Sequence, residues 1–244
     1  MSLPRLSILL ITALPAWAAS GSSFSLLGIS AGKDSSTLSV PLQIVLLLTL
    51  LTLLPAAVMS ITPFLRITIV LHFLRQALGT QSTPSNQVMI GLALFLTIVI
   101  MQPVAADIYH QGWEPMEAGR LAPAQAFEQG AKPLKVFLAR FAREKDVQLF
   151  LEMSHAPAPH SPADLDLTVL MPAYILSELK TGFQIGAVLF LPFLVIDLVV
   201  ASVTLSVGMV QLPPVMISAP FKILLFVLVD GWNLVVGSLM KSFY

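Results

Sequence analysis

The sequence predicts an all-α membrane protein built from two long, proline-kinked helical hairpins separated by a polar, partly helical insert. Three observations carry this. Hydrophobic residues make up 56% of the 244-residue chain and charged residues only 11%, against roughly 45–50% and 25% in a soluble domain. The charges are segregated, with 17 of the 26 lying between Asp107 and Lys180. Apolar runs far longer than a soluble helix flank that segment on both sides. Mean hydropathy is +0.86. This composition excludes a soluble enzyme and a disordered tail. A formal net charge of zero leaves no polybasic footprint for nucleic acid, and the absence of cysteine removes disulfides, thiolate metal sites and cysteine nucleophiles.

Residues 1–18 read as a secretory signal. Arg5 supplies the basic start, LSILLITAL the apolar stretch, and Ala16-Trp17-Ala18 the small-x-small cleavage pattern. Nine apolar residues are too few to span a hydrocarbon core, which takes roughly 20, so cleavage is expected between Ala18 and Ala19. Residues 19–40, rich in Ser and Gly, form a flexible lead-in.

The first hairpin is assigned to 41–106. No charge occurs between Asp34 and Arg66, nor between Arg75 and Asp107. The apolar pattern from Pro41 runs past Pro55 and Pro63 to Leu78, which as one helix would be about 57 Å long, nearly twice the hydrocarbon thickness. LGTQSTPSN (78–86) supplies the turn. Arg66, His72 and Arg75, with no acid among them, mark the segment between the first two helices as cytoplasmic by the positive-inside rule. The polar insert, 107–176, then falls on the outer side, in agreement with the signal. Within it, KPLKVFLARFAREKDVQLFLEM places Leu134, Phe137, Leu138 and Phe141 at helical spacing, followed by the proline-punctuated linker SHAPAPHSPADLD. His155 and His160 lie in that linker without a third ligand nearby, which favours a solvated loop over a metal site.

The second hairpin, 177–244, comprises Thr181–Gln211 and Val215–Phe243, separated by GMVQLPP (208–214). An interior proline frees a backbone carbonyl, and membrane helices tolerate this where neighbouring protein or water satisfies it. Long kinked helices therefore point to subunits packed on subunits. Asp197 and Asp230 lie within apolar runs, where a carboxylate is costly and marks a functional hypothesis. Two readings stand: a proton relay, or a hydrogen bond or ion pair between helices or subunits with Lys222 or Arg66 as partner. The single acid on each helix and the lack of a nearby histidine favour the second. Glu178 and Lys180, at the outer start of the third helix, read as packing or pairing groups. No H-E-x-x-H, G-x-S-x-G or Walker A pattern occurs, so enzymatic activity and a cofactor have no support.

Two blocks, MSITPFLRITIVLHFLRQALGTQSTPSNQV (59–88) and SELKTGFQIGAVLFLPFLVIDLVVASVTLSVGMVQLPPVMISAPFKILLFVLVDGW (177–232), resemble the FliP family of flagellar biosynthetic proteins. The resemblance implies an oligomeric helical cone in the flagellar basal body of the bacterial inner membrane. There, further FliP copies, FliQ and FliR, adjoined by FlhB and FlhA, form the portal of the type III export gate for unfolded flagellar subunits. It also implies a constriction just before the double proline, at Met209, Val210 and Gln211, where one methionine stands in place of the several common in the family. A virulence-type (injectisome) paralogue is the alternative within the family; the signal and the long insert favour the flagellar version. A small solute or ion transporter is the alternative outside it.

Overall fold

A computed structural model describes residues 40–80, 82–155, 161, 164–208 and 213–244. Among the described residues every regular element is helical. The chain divides into two units, Met1–Leu51 and Thr52–Tyr244. In the first, the described part is the start of α1 (Val40–Ile61), whose leucines, Leu46, Leu47 and Leu50 among them, are exposed. All else belongs to the second unit.

α1 runs through Pro55 and stops at Thr62-Pro63, so the single long helix expected over 41–78 is two helices. Thr62 Oγ1 donates to the Val58 carbonyl at 2.6 Å, and Pro63 has no N–H to continue the ladder. α2 (Phe64–Ala77) follows, with Phe64, Ile67, Val70, Leu71 and Leu74 buried at i, i+3, i+4 spacing. Its last turn closes when Gly79, at φ +73°, donates to the Gln76 carbonyl, the left-handed C-terminal stop that glycine provides. Ser85 Oγ accepts from the Val88 N–H to start α3 (Asn86–Ile108).

α3 widens into a π-turn at Tyr109–Trp113 and continues as α4 (Glu114–Glu117). The insert then holds α5 (Pro123–Phe141) and α6 (Glu144–Ser154). The one helix read across 132–153 is thus broken at Ala142-Arg143, where the Arg143 N–H donates to Ser177 Oγ at 2.8 Å instead of to a helical carbonyl. His155 ends α6 in the left-handed region at φ 51°; His160 lies outside the described residues.

α7 (Leu167–Ser206) is a single 40-residue helix, roughly 60 Å long. It begins fourteen residues before the expected Thr181 and passes through Pro172 and Pro192 without ending. Asp166 caps it by accepting the Thr168 N–H. The last apolar stretch, expected as one helix, is α8 (Pro214–Leu228) and α9 (Gly231–Lys241), bent by 66° at Val229-Asp230.

α2 packs chiefly on α7 and also on α3. Contact with α7 is close because Gly186 has no side chain: a Cβ there would stand 2.5 Å from Phe73 Cγ. The main core joins α2, α3, α5, α7 and α9 through Ile67, Leu71, Ala93, Leu138, Leu170 and Leu239; a smaller cluster joins Leu74, Ala77, Phe193 and Phe226. Among the described residues three helical stretches are long and apolar enough to cross a membrane: Pro41–Ile61, Asn86–Glu117 and Leu167–Ser206, and the bent α8–α9 pair is a fourth if it counts as one span. Few residues of these stretches are buried within the chain itself.

Candidate functional site

Two buried polar clusters lie along α7, each formed with one end of α2. At the N-terminal end, Arg66 is 3% exposed. Its Nε donates to Glu178 Oε2 at 2.8 Å and its Nη2 to Glu178 Oε1, a bidentate pair. Nη1 donates to Ser242 Oγ at 3.1 Å and to the Ser242 carbonyl at 3.4 Å. The guanidinium carbon stands 4.0 Å from the Phe243 ring centre and 5.5 Å from that of Phe141, within cation–π range. One arginine thus ties α2, α5, α7 and the segment after α9 together. The position follows from the sequence locally: Arg66 is one residue from Ile67 and four from Val70, so the helical turn that buries those apolar residues carries Arg66 in with them.

At the other end, Lys222 of α8 is 2% exposed. Its Nζ donates to Asp197 Oδ2 at 2.6 Å and to the Ala77 carbonyl at 3.0 Å. Asp197 Oδ1 accepts from Ser218 Oγ at 2.5 Å. Ser218 and Lys222 are one turn apart on α8, so a single helix face presents both donors to α7. The Ala77 carbonyl is one of the four left without an intrahelical partner at a helix C-terminus, and the ammonium satisfies it.

The sequence-derived positions therefore separate. Asp197 and Lys222 meet, and Arg66 and Glu178 meet. Arg66 reaches neither Asp197 nor Asp230. Lys180 and Asp230 are exposed and have no ion pair among the described residues. Asp230 instead occupies the α8–α9 corner at φ 51°, ψ 51°, a left-handed conformation that aspartate tolerates better than most residues. Arg66, His72 and Arg75 sit on α2 and not in a loop. The buried Arg66–Glu178 pair also means that the two residues cannot lie on opposite faces of a membrane, as the positive-inside reading of 66–75 together with an outer Glu178 required. Met209, Val210 and Gln211 lie outside the described residues, as do Ala18 and Ala19.

Sequence reasoning missed Ser242, Phe243 and the Ala77 carbonyl, and a third polar set: Ser177 Oγ donates to Asp146 at 2.6 Å, and Arg143 Nη2 donates to Gln184 at 2.5 Å and Thr181 at 3.4 Å. Ser218 had a signal in its spacing from Lys222; the others join residues far apart in the chain. No group of three or more His, Cys, Asp or Glu side chains suited to a metal ion occurs among the described residues. What the arrangement does chemically is to fix helices against one another by satisfied buried charge.

The sequence profile of the FliP family matches residues 47–239, which takes in Arg66, Glu178, Asp197, Ser218 and Lys222. The chain belongs to the FliP family. It is 50% identical over 213 residues to the flagellar biosynthetic protein FliP of Pectobacterium carotovorum subsp. carotovorum, covering 87% of this chain and 82% of that protein. It is 48% identical over 217 residues to the flagellar biosynthetic protein FliP of Bacillus subtilis (strain 168), covering 89% and 98%. With that of Caulobacter vibrioides it shares 44% identity over 238 residues, or 98% of this chain and 90% of the relative. Membership in the FliP family makes this chain a flagellar biosynthetic protein and a component of the flagellar export apparatus, with long apolar helices suited to a membrane.

Proposed function

We propose that the chain is a core subunit of the flagellar type III protein export gate, acting as a structural part of a channel and not as an enzyme. In this reading, further FliP copies, FliQ and FliR, adjoined by FlhB and FlhA, form with it the portal for unfolded flagellar subunits. It sits in the bacterial inner membrane at the flagellar basal body, with the 107–176 insert in the periplasm and the 177–244 hairpin forming the channel wall. The match to FliP over residues 47–239 carries the proposal. The structure supports an assembly role: α7 leaves Leu191, Leu194, Val195, Leu198 and Val199 exposed, more apolar surface than an isolated soluble chain exposes without a partner or lipid to cover it. The signal-like residues 1–18 support the outward placement of the insert. In this reading Met209, Val210 and Gln211, just before the double proline, form the constriction, where a flexible Met adapts to varied polypeptides and the polar Gln211 departs from a purely apolar ring.

The proposal is tested by supplying the chain to a flagellated cell that lacks its own FliP. Restored secretion of flagellar subunits and restored swimming are expected. Secretion of virulence effectors alone would move the chain to the injectisome branch, and solute uptake with no protein secretion would refute the gate.

A further inference from the structure

The α8–α9 corner carries a carboxylate with no partner among the described residues. Asp230 stands at the 66° bend, exposed and in a left-handed conformation. Gly231 lets the bend close, since a Cβ there would meet the Phe226 ring at 2.2 Å. Around the corner Val227, Leu228, Val229 and Trp232 are exposed too. A carboxylate amid apolar surface is costly to place against hydrocarbon, so lipid is a poor cover for it.

A second uncovered face lies on α2. His72 and Gln76, one turn apart and so on one side of the helix, are exposed, and neither side chain has a hydrogen bond among the described residues. Arg75 beside them donates to the neutral side chain of Asn86. Between residues 64 and 106 the ionisable side chains are Arg66, His72 and Arg75. Arg66 is matched by Glu178, and Asp197, across from the end of α2, by Lys222. Arg75 therefore gives this face an unmatched positive charge, and Asp230 gives the corner an unmatched negative one. Lys180 and Lys241 lie toward the Ser242 end, about 13–16 Å along the helices from the level of Asp230.

The two faces are level. α2 and α7 run parallel and in step, Ile69 against Gly182 and Phe73 against Gly186. α8 runs back along α7, with Lys222 on Asp197 and Phe226 near Phe193. Asp230, four residues past Phe226, returns to the level of Leu189, four before Phe193. Gln76, three past Phe73, reaches that same level, because Leu189 is three past Gly186. His72 is one turn away, about 6 Å. Within one chain the faces look apart: α2 turns Leu74 to Phe226 of α8, and His72 and Gln76, each two residues from Leu74, stand on the opposite side of the helix. Hydrocarbon would leave both faces unsatisfied, and a foreign helix would cover one of them. A second copy satisfies both with one contact.

We propose that the Asp230 corner of one copy docks on the His72–Gln76 face of the next, the carboxylate accepting from both side chains beside the Arg75 charge. Repeated by rotation, a head-to-tail contact between patches at one level closes a ring. The proposal rests on the reading of the chain as one of several FliP copies in the gate, and it names the surfaces through which they meet.

The chain has no cysteine, so crosslinking tests this directly. His72→Cys with Asp230→Cys, treated in native membranes with a short bis-maleimide linker, gives a ladder of covalent dimers, trimers and larger species, because each copy carries both ends of the contact. Gln76→Cys with Asp230→Cys does the same and guards against a misfolded first pair. Asp230→Asn, which suits the left-handed corner, weakens association of the purified copies roughly tenfold. A multimer that forms with no ladder from either pair overturns the proposal and leaves the gate reading intact, whereas a chain that forms no multimer at all sinks both. Covalent dimers from each single-cysteine variant would mean that like meets like, and would overturn the proposal as well.

Discussion

Arg66 and Glu178 are the residues whose removal the chain should tolerate least. Both are buried, and each satisfies the other's charge. Deleting one side leaves an uncompensated buried charge, which costs about 3–5 kcal/mol, whereas replacing both by apolar residues of similar size is often neutral. Glu178→Leu alone should therefore abolish folded protein or lower its melting temperature sharply, and Arg66→Met with Glu178→Leu should recover most of the loss. Thermal melting of the purified variants checks this. Asp197 differs, because its side chain is 28% exposed and water screens part of the pair. Asp197→Asn keeps the acceptor facing Ser218 but leaves the Lys222 ammonium, 2% exposed, without its counter-charge, and should cost about 3 kcal/mol, the low end of that range. Its consequence for export separates the two readings of this carboxylate: assembled gates should still depend on the proton motive force, and loss of that dependence would assign Asp197 a proton-carrying role.

At the scale of elements, the helices were legible in the sequence and their breaks were not. Hydropathy located the apolar stretches that fold as helices, and 3.6-residue spacing marked the helix that carries Leu134, Phe137, Leu138 and Phe141. They could not say which prolines end a helix. Pro55, Pro172 and Pro192 are carried inside helices, while Pro63 ends one. The hydroxyl bond of Thr62 to the Val58 carbonyl does not explain the difference, because Thr97 makes the same bond to Ala93 inside the unbroken α3. The clusters divide in the same way. Asp197 and Lys222 are 25 residues apart on helices joined by a short turn, and could be nominated as partners. Arg66 and Glu178 are separated by 112 residues, and Arg66 and Ser242 by 176, so their meeting depends on how α2 and α9 dock on α7. That docking gives its own prediction. Gly186→Ala should force Phe73 and α2 away from α7, an overpacking cost of about 1–3 kcal/mol. Gly91→Ala, with nothing within 4 Å of the new Cβ, should be neutral or slightly stabilising, as the higher helix propensity of alanine implies. Melting temperatures of the two variants check the contrast.

For the whole molecule, the segregation of charge that first suggested a membrane protein acquires a sharper meaning. Arg66, assigned to a cytoplasmic turn, is paired inside the protein with Glu178 near the start of α7. Hydropathy locates the apolar helices, and the buried charges that α2, α7 and α8 carry for one another show that these helices also pack on each other. Two further outcomes belong to this scale. The mature chain should begin at Ala19, and N-terminal sequencing that finds Met1 would refute a cleaved signal. Replacing Met209, Val210 and Gln211 together by glycine should raise ion leakage through the closed gate, measured as membrane conductance; unchanged leakage would refute a constriction there. The most direct test of the central claim is the mass of the complex that the chain forms in the membrane. Purified under gentle conditions and weighed by native mass spectrometry, it should run as one stable assembly containing several copies of itself with FliQ and FliR. A monomer carrying neither partner would contradict the account.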